Sequence, residues 1–175
     1  IVAEHRPGFT TGSGLTPILC TCKLYKLKAI SLNGCRHRAT VDGDPRISVA
    51  VLDGPVDISH PCFAAARLTF PTGQAGFGAA SRAAAHGTHV ASVIFGRGGG
   101  VEGIAPDCRG IVMPVFSDAA DGLGCSQLDV ARAILAALEN GADVINISGG
   151  EIVGSQNAFL ADALRKCEEA GVLVV

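Results

Sequence analysis

Arg46-Ile47-Ser48-Val49-Ala50-Val51-Leu52-Asp53-Gly54-Pro55 decides the fold. Ile47 to Leu52 is a short apolar run, rich in β-branched residues, and Asp53-Gly54-Pro55 stops it. Such a run reads as a buried strand. Working outward, Gly110 to Phe116 reads the same way, as does Val144-Ile145-Asn146-Ile147. Val172-Leu173-Val174-Val175 begins one more strand. Helical patterns separate these runs. His86 to Phe95 carries Val90, Val93 and Ile94 and stops at Gly96. Ser126-Gln127-Leu128-Asp129 resembles a capping box with Asp in the acidic position, and Leu128, Ala131, Ile134, Leu135 and Leu138 then share one helical face. Gly141 is its natural stop. Phe159, Leu160, Ala163, Leu164 and Cys167 mark a last helix, ended near Gly171. Strands alternating with helices predict βαβ units: an α/β fold with a mainly parallel sheet flanked by helices on both faces.

The 175 residues suit one domain. Residues 46–175 form the regular part. Residues 1–45 hold Pro7, Gly12, Gly14 and Pro17 without clear periodicity and read as a poorly defined N-terminal extension. The last strand is cut by the end of the chain, so further C-terminal sequence is expected, and with it a truncated sheet. Apolar residues make up 48% and charged residues 17%, enough for a real core. A net charge of −2 gives no electrostatic footprint for nucleic acid. Lys23, Lys26, Lys28, Arg36 and Arg38 form a loose basic cluster that reads as a solvated face. No run is long enough for a membrane-spanning helix, and no signal peptide is visible. The seven cysteines are odd in number and lack C-x-x-C spacing, which suits reduced thiols in a cytoplasm. Cys20 and Cys22 would be half of a metal site whose other half is not evident.

Two residues carry the candidate chemistry. Asp53 follows a buried strand, and in parallel α/β sheets the functional crevice lies outside the carboxyl ends of the strands. An Asp there can orient a histidine and stabilise its charged form; alone, it reads more readily as a turn residue before Gly54-Pro55. His86-Gly87-Thr88-His89 tips the balance. Gly87 allows a close backbone approach, and His86 is placed in the first helical turn, where the dipole disfavours an imidazolium and suits a general base. His89 is expected to be a packed structural residue. Zinc is not expected, because the histidines are spaced i, i+3 with no intervening Glu. Gly98-Gly99-Gly100-Val101-Glu102-Gly103 satisfies G-x-G-x-x-G, but a helix precedes it and Pro106 follows, so no dinucleotide is expected.

These blocks resemble those of the subtilisin-like serine proteases. Val49 to Gly54 is similar to the family's Asp block, and His86 to Ala91 to its His block. Gly103-Ile104-Ala105-Pro106 resembles the turn after that helix, and Asp143 to Ser148 the strand leading to the substrate segment. Gly43 to Ile47, Leu52 to Asp57, Ser59 to Phe63 and Ser126 to Asp129 further resemble the PatA/PatG-type proteases that mature cyanobactins. The resemblance implies a three-layer subtilisin-like fold and a serine endopeptidase acting on ribosomally made precursor peptides. One subgroup removes the leader; the other cuts at the C-terminal side and cyclises. Cyclising members carry a helical insertion between the two blocks. Asp53 and His86 are only 33 positions apart, so the leader-removing subgroup is implied.

By the same resemblance, Asp53 orients His86, and His86 is general base and then acid. Ser148-Gly149-Gly150 lines the specificity pocket and pairs with an extended peptide. The family more often has Leu at the position of Gly149, so a wider or looser pocket is expected. No cofactor or metal is implied; the glycine loop lies where many subtilases bind calcium, but its glycine run holds no Asn or Asp. The family's Gly-Thr-Ser block does not occur in this sequence, nor does the Asn that follows the strand begun at Val172. These 175 residues alone are therefore expected to be inactive. The expected partner is a peptide substrate, with no nucleic acid and no membrane. The alternatives are a non-catalytic peptide-binding fragment or pseudoprotease, and an unrelated α/β protein in which Asp53 and His86 lie far apart.

Overall fold

The computed structural model of the chain describes residues 42–71, 73, 81–120, 122–149 and 157–175. Most of the N-terminal extension, with its basic cluster and Cys20, Cys22 and Cys35, lies outside the described residues, as does Gly150. In chain order the elements are β1 (Ser48–Asp53), a 3-10 turn (Pro61–Phe63), β2 (Arg67–Thr69), α1 (Arg82–Phe95), β3 (Arg97–Gly98), β4 (Val101–Glu102) and β5 (Arg109–Pro114). They continue with β6 (Ser117–Ala119), β7 (Gly122–Gly124), α2 (Gln127–Glu139), β8 (Val144–Ile147), α3 (Ala158–Ala170) and β9 (Leu173–Val174).

Five strands form one sheet in the order β2-β5-β1-β8-β9, and every pairing in it is parallel. β1 is central and buried along its whole length. Its side chains alternate between two cores, as the pleat requires. Val49 and Val51 join Val112 beneath α1, where Val90, Ala91, Ile94 and Phe95 close over them. Ala50 and Leu52 face the other way, with Ile111, Met113 and Ile145, against Ala131, Ile134 and Ala137 of α2 and Leu160, Ala163 and Cys167 of α3. The result is three layers, helix over sheet over helices, as the alternating pattern implied.

Capping follows the sequence closely at α2. Ser126 is its N-cap; Ser126 Oγ accepts from the Asp129 N–H at 3.0 Å and donates to the Asp129 carboxylate at 2.6 Å. Elsewhere the structure departs from expectation. Between β1 and His86, where no periodic run stands out in the sequence, the structure holds the 3-10 turn, β2 and the start of α1. β2 is three residues long with Arg67 and Thr69 exposed, so it shows no apolar run. α1 starts four residues before His86, because Ser81 Oγ accepts from the Ala84 N–H at 3.0 Å and begins the helix at Arg82. Phe159, on the expected apolar pattern of α3, is 67% exposed; Leu160 beside it takes the buried position.

The glycine run is a hairpin turn. Gly99 and Gly100 sit at φ +56° and +81° between the antiparallel β3 and β4, conformations that tight hairpins demand. A Cβ on Gly98 would lie 2.8 Å from the Pro61 carbonyl oxygen, so the run also lets the hairpin press onto the 3-10 turn. It is not the strand-to-helix loop that holds a dinucleotide.

Candidate active site

Asp53 is the last residue of β1 and is fully buried at the carboxyl edge of the sheet. Its Oδ1 lies 2.7 Å from His86 Nδ1 and accepts the Gly54 N–H at 2.6 Å. A carboxylate only accepts, so Nδ1 donates and the lone pair sits on Nε2. The His86 side chain is 40% exposed, which leaves it open to a reacting group. Among the described residues, Asp53 Oδ2 has no hydrogen-bond partner. The pair is thus an oriented base with one exposed partner and one buried one, the arrangement general-base catalysis requires.

The backbone around the pair explains why these letters recur together. Gly54 and Gly87 let the strand end and the helix touch main chain to main chain. A Cβ on Gly54 would lie 1.9 Å from the Ala83 carbonyl oxygen; one on Gly87 would lie 2.2 Å from the Gly54 carbonyl oxygen. Thr88 Oγ1 then accepts the Asp57 N–H at 2.9 Å, fixing the loop that leaves Asp53. Gly87 was placed correctly by sequence; the role of Thr88 was missed, although it lies inside the same motif.

His86 is not in the first turn of α1 but in the second, since the helix runs from Arg82. The dipole effect fades within the first turn, so the carboxylate of Asp53, not the helix end, is what organises His86. His89 is exposed rather than packed, because the buried stripe of α1 is Gly87, Val90, Ala91 and Ile94. After α1, the Gly103 N–H donates to Gly96 at 2.7 Å and the Ile104 and Ala105 N–H groups to Val93 and Ile94 at 2.9 Å, sealing the helix end.

A second surface meets the pair at the same sheet edge. The Val115 and Phe116 N–H groups donate to the Asp53 carbonyl at 2.7 and 3.1 Å. Ser148 leaves β8 beside them and accepts from Asn146 Nδ2 at 2.8 Å. Gly149 is exposed, yet its side-chain space is not empty. A Cβ there would lie 2.5 Å from Cζ of Phe116. The end of the Phe116 ring thus lies against the α-carbon of Gly149. Nothing local to either residue signals this contact, because the two are far apart in the chain. Asp118 was also missed: its carboxylate accepts from the Arg82 and Ala83 N–H groups at 3.3 and 2.8 Å and ties the β6–β7 hairpin to the start of α1.

Known proteins share this family and fold. The subtilase family model matches residues 44–175. A mutant of the protease domain of PatA is 46% identical over 78% of this chain and 51% of its own, with a TM-score of 0.71. The prenylagaramide maturation protease PagA is 47% identical, covering 76% of this chain and 46% of its own, at a TM-score of 0.64. The PatG macrocyclase domain is 28% identical over 77% and 55%, at 0.60. The chain thus spans about half the length of the solved structures it matches. No curated protein matches it.

Proposed function

Because this chain belongs to the subtilase family, we propose that it forms part of a serine endopeptidase that cleaves a ribosomally made precursor peptide, removing the leader in cyanobactin-like maturation. The observation that carries this reading is the 2.7 Å contact of Asp53 with His86 at the carboxyl edge of a parallel sheet. His86 takes the proton of the nucleophile and returns it to the leaving amine; Asp53 holds the imidazole and stabilises its cation. In this reading the serine and the oxyanion donor come from protein beyond these residues. Ser148 to Gly150 offers its backbone to an extended peptide, a mode supported by its place at the end of β8 beside the pair.

The leader-removing subgroup is favoured over the cyclising one. Identity is 46–48% to PatA structures and 28% to the PatG macrocyclase domain. Among the described residues, the segment between Asp53 and His86 holds a 3-10 turn, β2 and the first residues of α1, and no separate helical insertion. The peptidase unit assigned to residues 46–175 extends a few residues back: the Asp107 N–H donates to the Asp42 carbonyl at 2.8 Å, and Arg97 pairs with both carboxylates. A cytoplasmic setting is part of this reading, on the odd number and spacing of the cysteines in the sequence. No helix among the described residues is long and apolar enough to cross a membrane.

The test is cleavage of a precursor peptide by the full-length protein, with fluorophosphonate labelling of its serine. His86→Ala is expected to lower kcat about a million-fold and Asp53→Asn about 10⁴-fold. Undiminished cleavage by His86→Ala would overturn the base assignment. An unlabelled, inactive native protein would favour a module that only holds peptides.

A further inference from the structure

We propose that the Ser148 side chain is a positioning group for the Asp53–His86 pair: its hydroxyl donates to Asp53 Oδ2, directly after a small side-chain rotation or through one water. This rests on the protease reading above and gives the hydroxyl a task separate from the backbone pairing proposed for the same residue.

A spare acceptor and a spare donor stand at this edge of the sheet. Asp53 Oδ1 takes both the His86 Nδ1 proton and the Gly54 N–H, whereas Oδ2 is buried and, among the described residues, has no hydrogen-bond partner. A buried carboxylate oxygen left so is costly, and such groups in folded proteins find a donor. The register names the neighbour. β1 and β8 run parallel with Leu52 beside Ile147, so one step on Ser148 lies beside Asp53, and adjacent strands are only about 4.8 Å apart. The pleat puts both side chains on one face. Val49 and Val51 share the α1 core with Val144; counting on by twos reaches Asp53 on one strand and Asn146 and Ser148 on the other. Asn146 Nδ2 donates to Ser148 Oγ at 2.8 Å, which uses a lone pair and leaves the hydroxyl proton. Among the described residues no acceptor takes that proton.

A donor on Oδ2 shares the charge of the carboxylate and fixes its plane. Asp53 then orients the imidazole and steadies its cation, yet lets the proton pass on to the leaving amine. Without the donor, the charge gathers on the oxygen that faces His86. The Nδ1–H bond to Asp53 tightens, and the imidazolium gives up its proton less readily. The hydroxyl touches none of the reacting atoms, so it acts through Asp53 and on the chemical step rather than on binding.

The experiment follows the low-field imidazole proton of His86 by NMR, and precursor-peptide cleavage, in the full-length protein. Ser148→Ala is expected to move that proton further downfield and to lower kcat about tenfold with KM little changed. Ser148→Thr keeps a hydroxyl and restores both. Asn146→Ala frees the hydroxyl to turn away, so it gives a smaller shift of the same sign in the native background and none in Ser148→Ala. An unmoved imidazole proton in Ser148→Ala overturns the proposal. So does a Ser148→Thr protein that behaves like Ser148→Ala, or a rise in KM alone, which returns Ser148 to holding the peptide and nothing more. A native protein that is neither labelled nor active overturns the protease reading instead, and the imidazole proton, which needs no turnover, still decides whether Ser148 serves Asp53.

Discussion

The helices on the two faces of the sheet are held by different means. α2 and α3 lie on the sheet through side chains: Ile134, Leu160 and Cys167 fill space against Leu52, Met113 and Ile145. α1 also has such contacts, but its first two turns touch the residues after the strand end through bare backbone at Gly54 and Gly87. Side-chain packing tolerates adjustment, because a neighbour can rotate. Backbone against backbone does not, because moving one atom moves the strand. The chain uses the intolerant kind of contact where two groups must sit at a fixed distance, and the tolerant kind where only burial is needed.

Gly87→Ala is expected to break this contrast most severely. The added carbon meets three backbone atoms within 2.8 Å, so the cost is at or above the top of the usual 1–3 kcal/mol for overpacking. It also parts His86 from Asp53, visible as loss of the hydrogen-bonded imidazole proton in NMR spectra. Ile134→Ala empties a fully buried position of α2 and should cost about 2–5 kcal/mol by chemical denaturation. That same imidazole proton should be undisturbed; if it shifts as it does in Gly87→Ala, the two faces are not independent. Asp118→Ala removes the acceptor for two N–H groups at the start of α1 and should cost about 1 kcal/mol, with Asp118→Asn recovering most of it. An effect of Asp118→Ala as large as that of Gly87→Ala would mean that α1 is held by its end, not by the glycine contact.

The same contrast explains what the sequence disclosed. β1, β5, β8 and α2 were legible because burial imposes a periodicity on consecutive residues, and Ser126 marks the start of α2 in plain view. Asp53 and His86 were legible because each sits in a block whose neighbours are forced: Gly54 and Gly87 by close approach, Thr88 by its hydrogen bond. β2 and the hairpins β3–β4 and β6–β7 were not, because their strands are two or three residues long and mostly solvent-facing. The first turn of α1 was hidden in Ala83-Ala84-Ala85, which has no polar contrast to set a phase. Phe116 against Gly149 lies on a different footing. It is a contact between the ends of two separate strands, and nothing local at either residue encodes the other.

β1 pairs with Arg109 to Pro114 on one side and with Val144 to Ile147 on the other, both far downstream. On a ribosome it emerges before either neighbour exists. For that interval a β-branched segment has both edges open, which is the configuration most prone to intermolecular pairing. Its non-local partners also make the central pairing slow to form. Production of this protein should therefore be limited by the fate of the nascent chain, and a holdase chaperone should raise the soluble yield more than any stabilising change to the finished sheet.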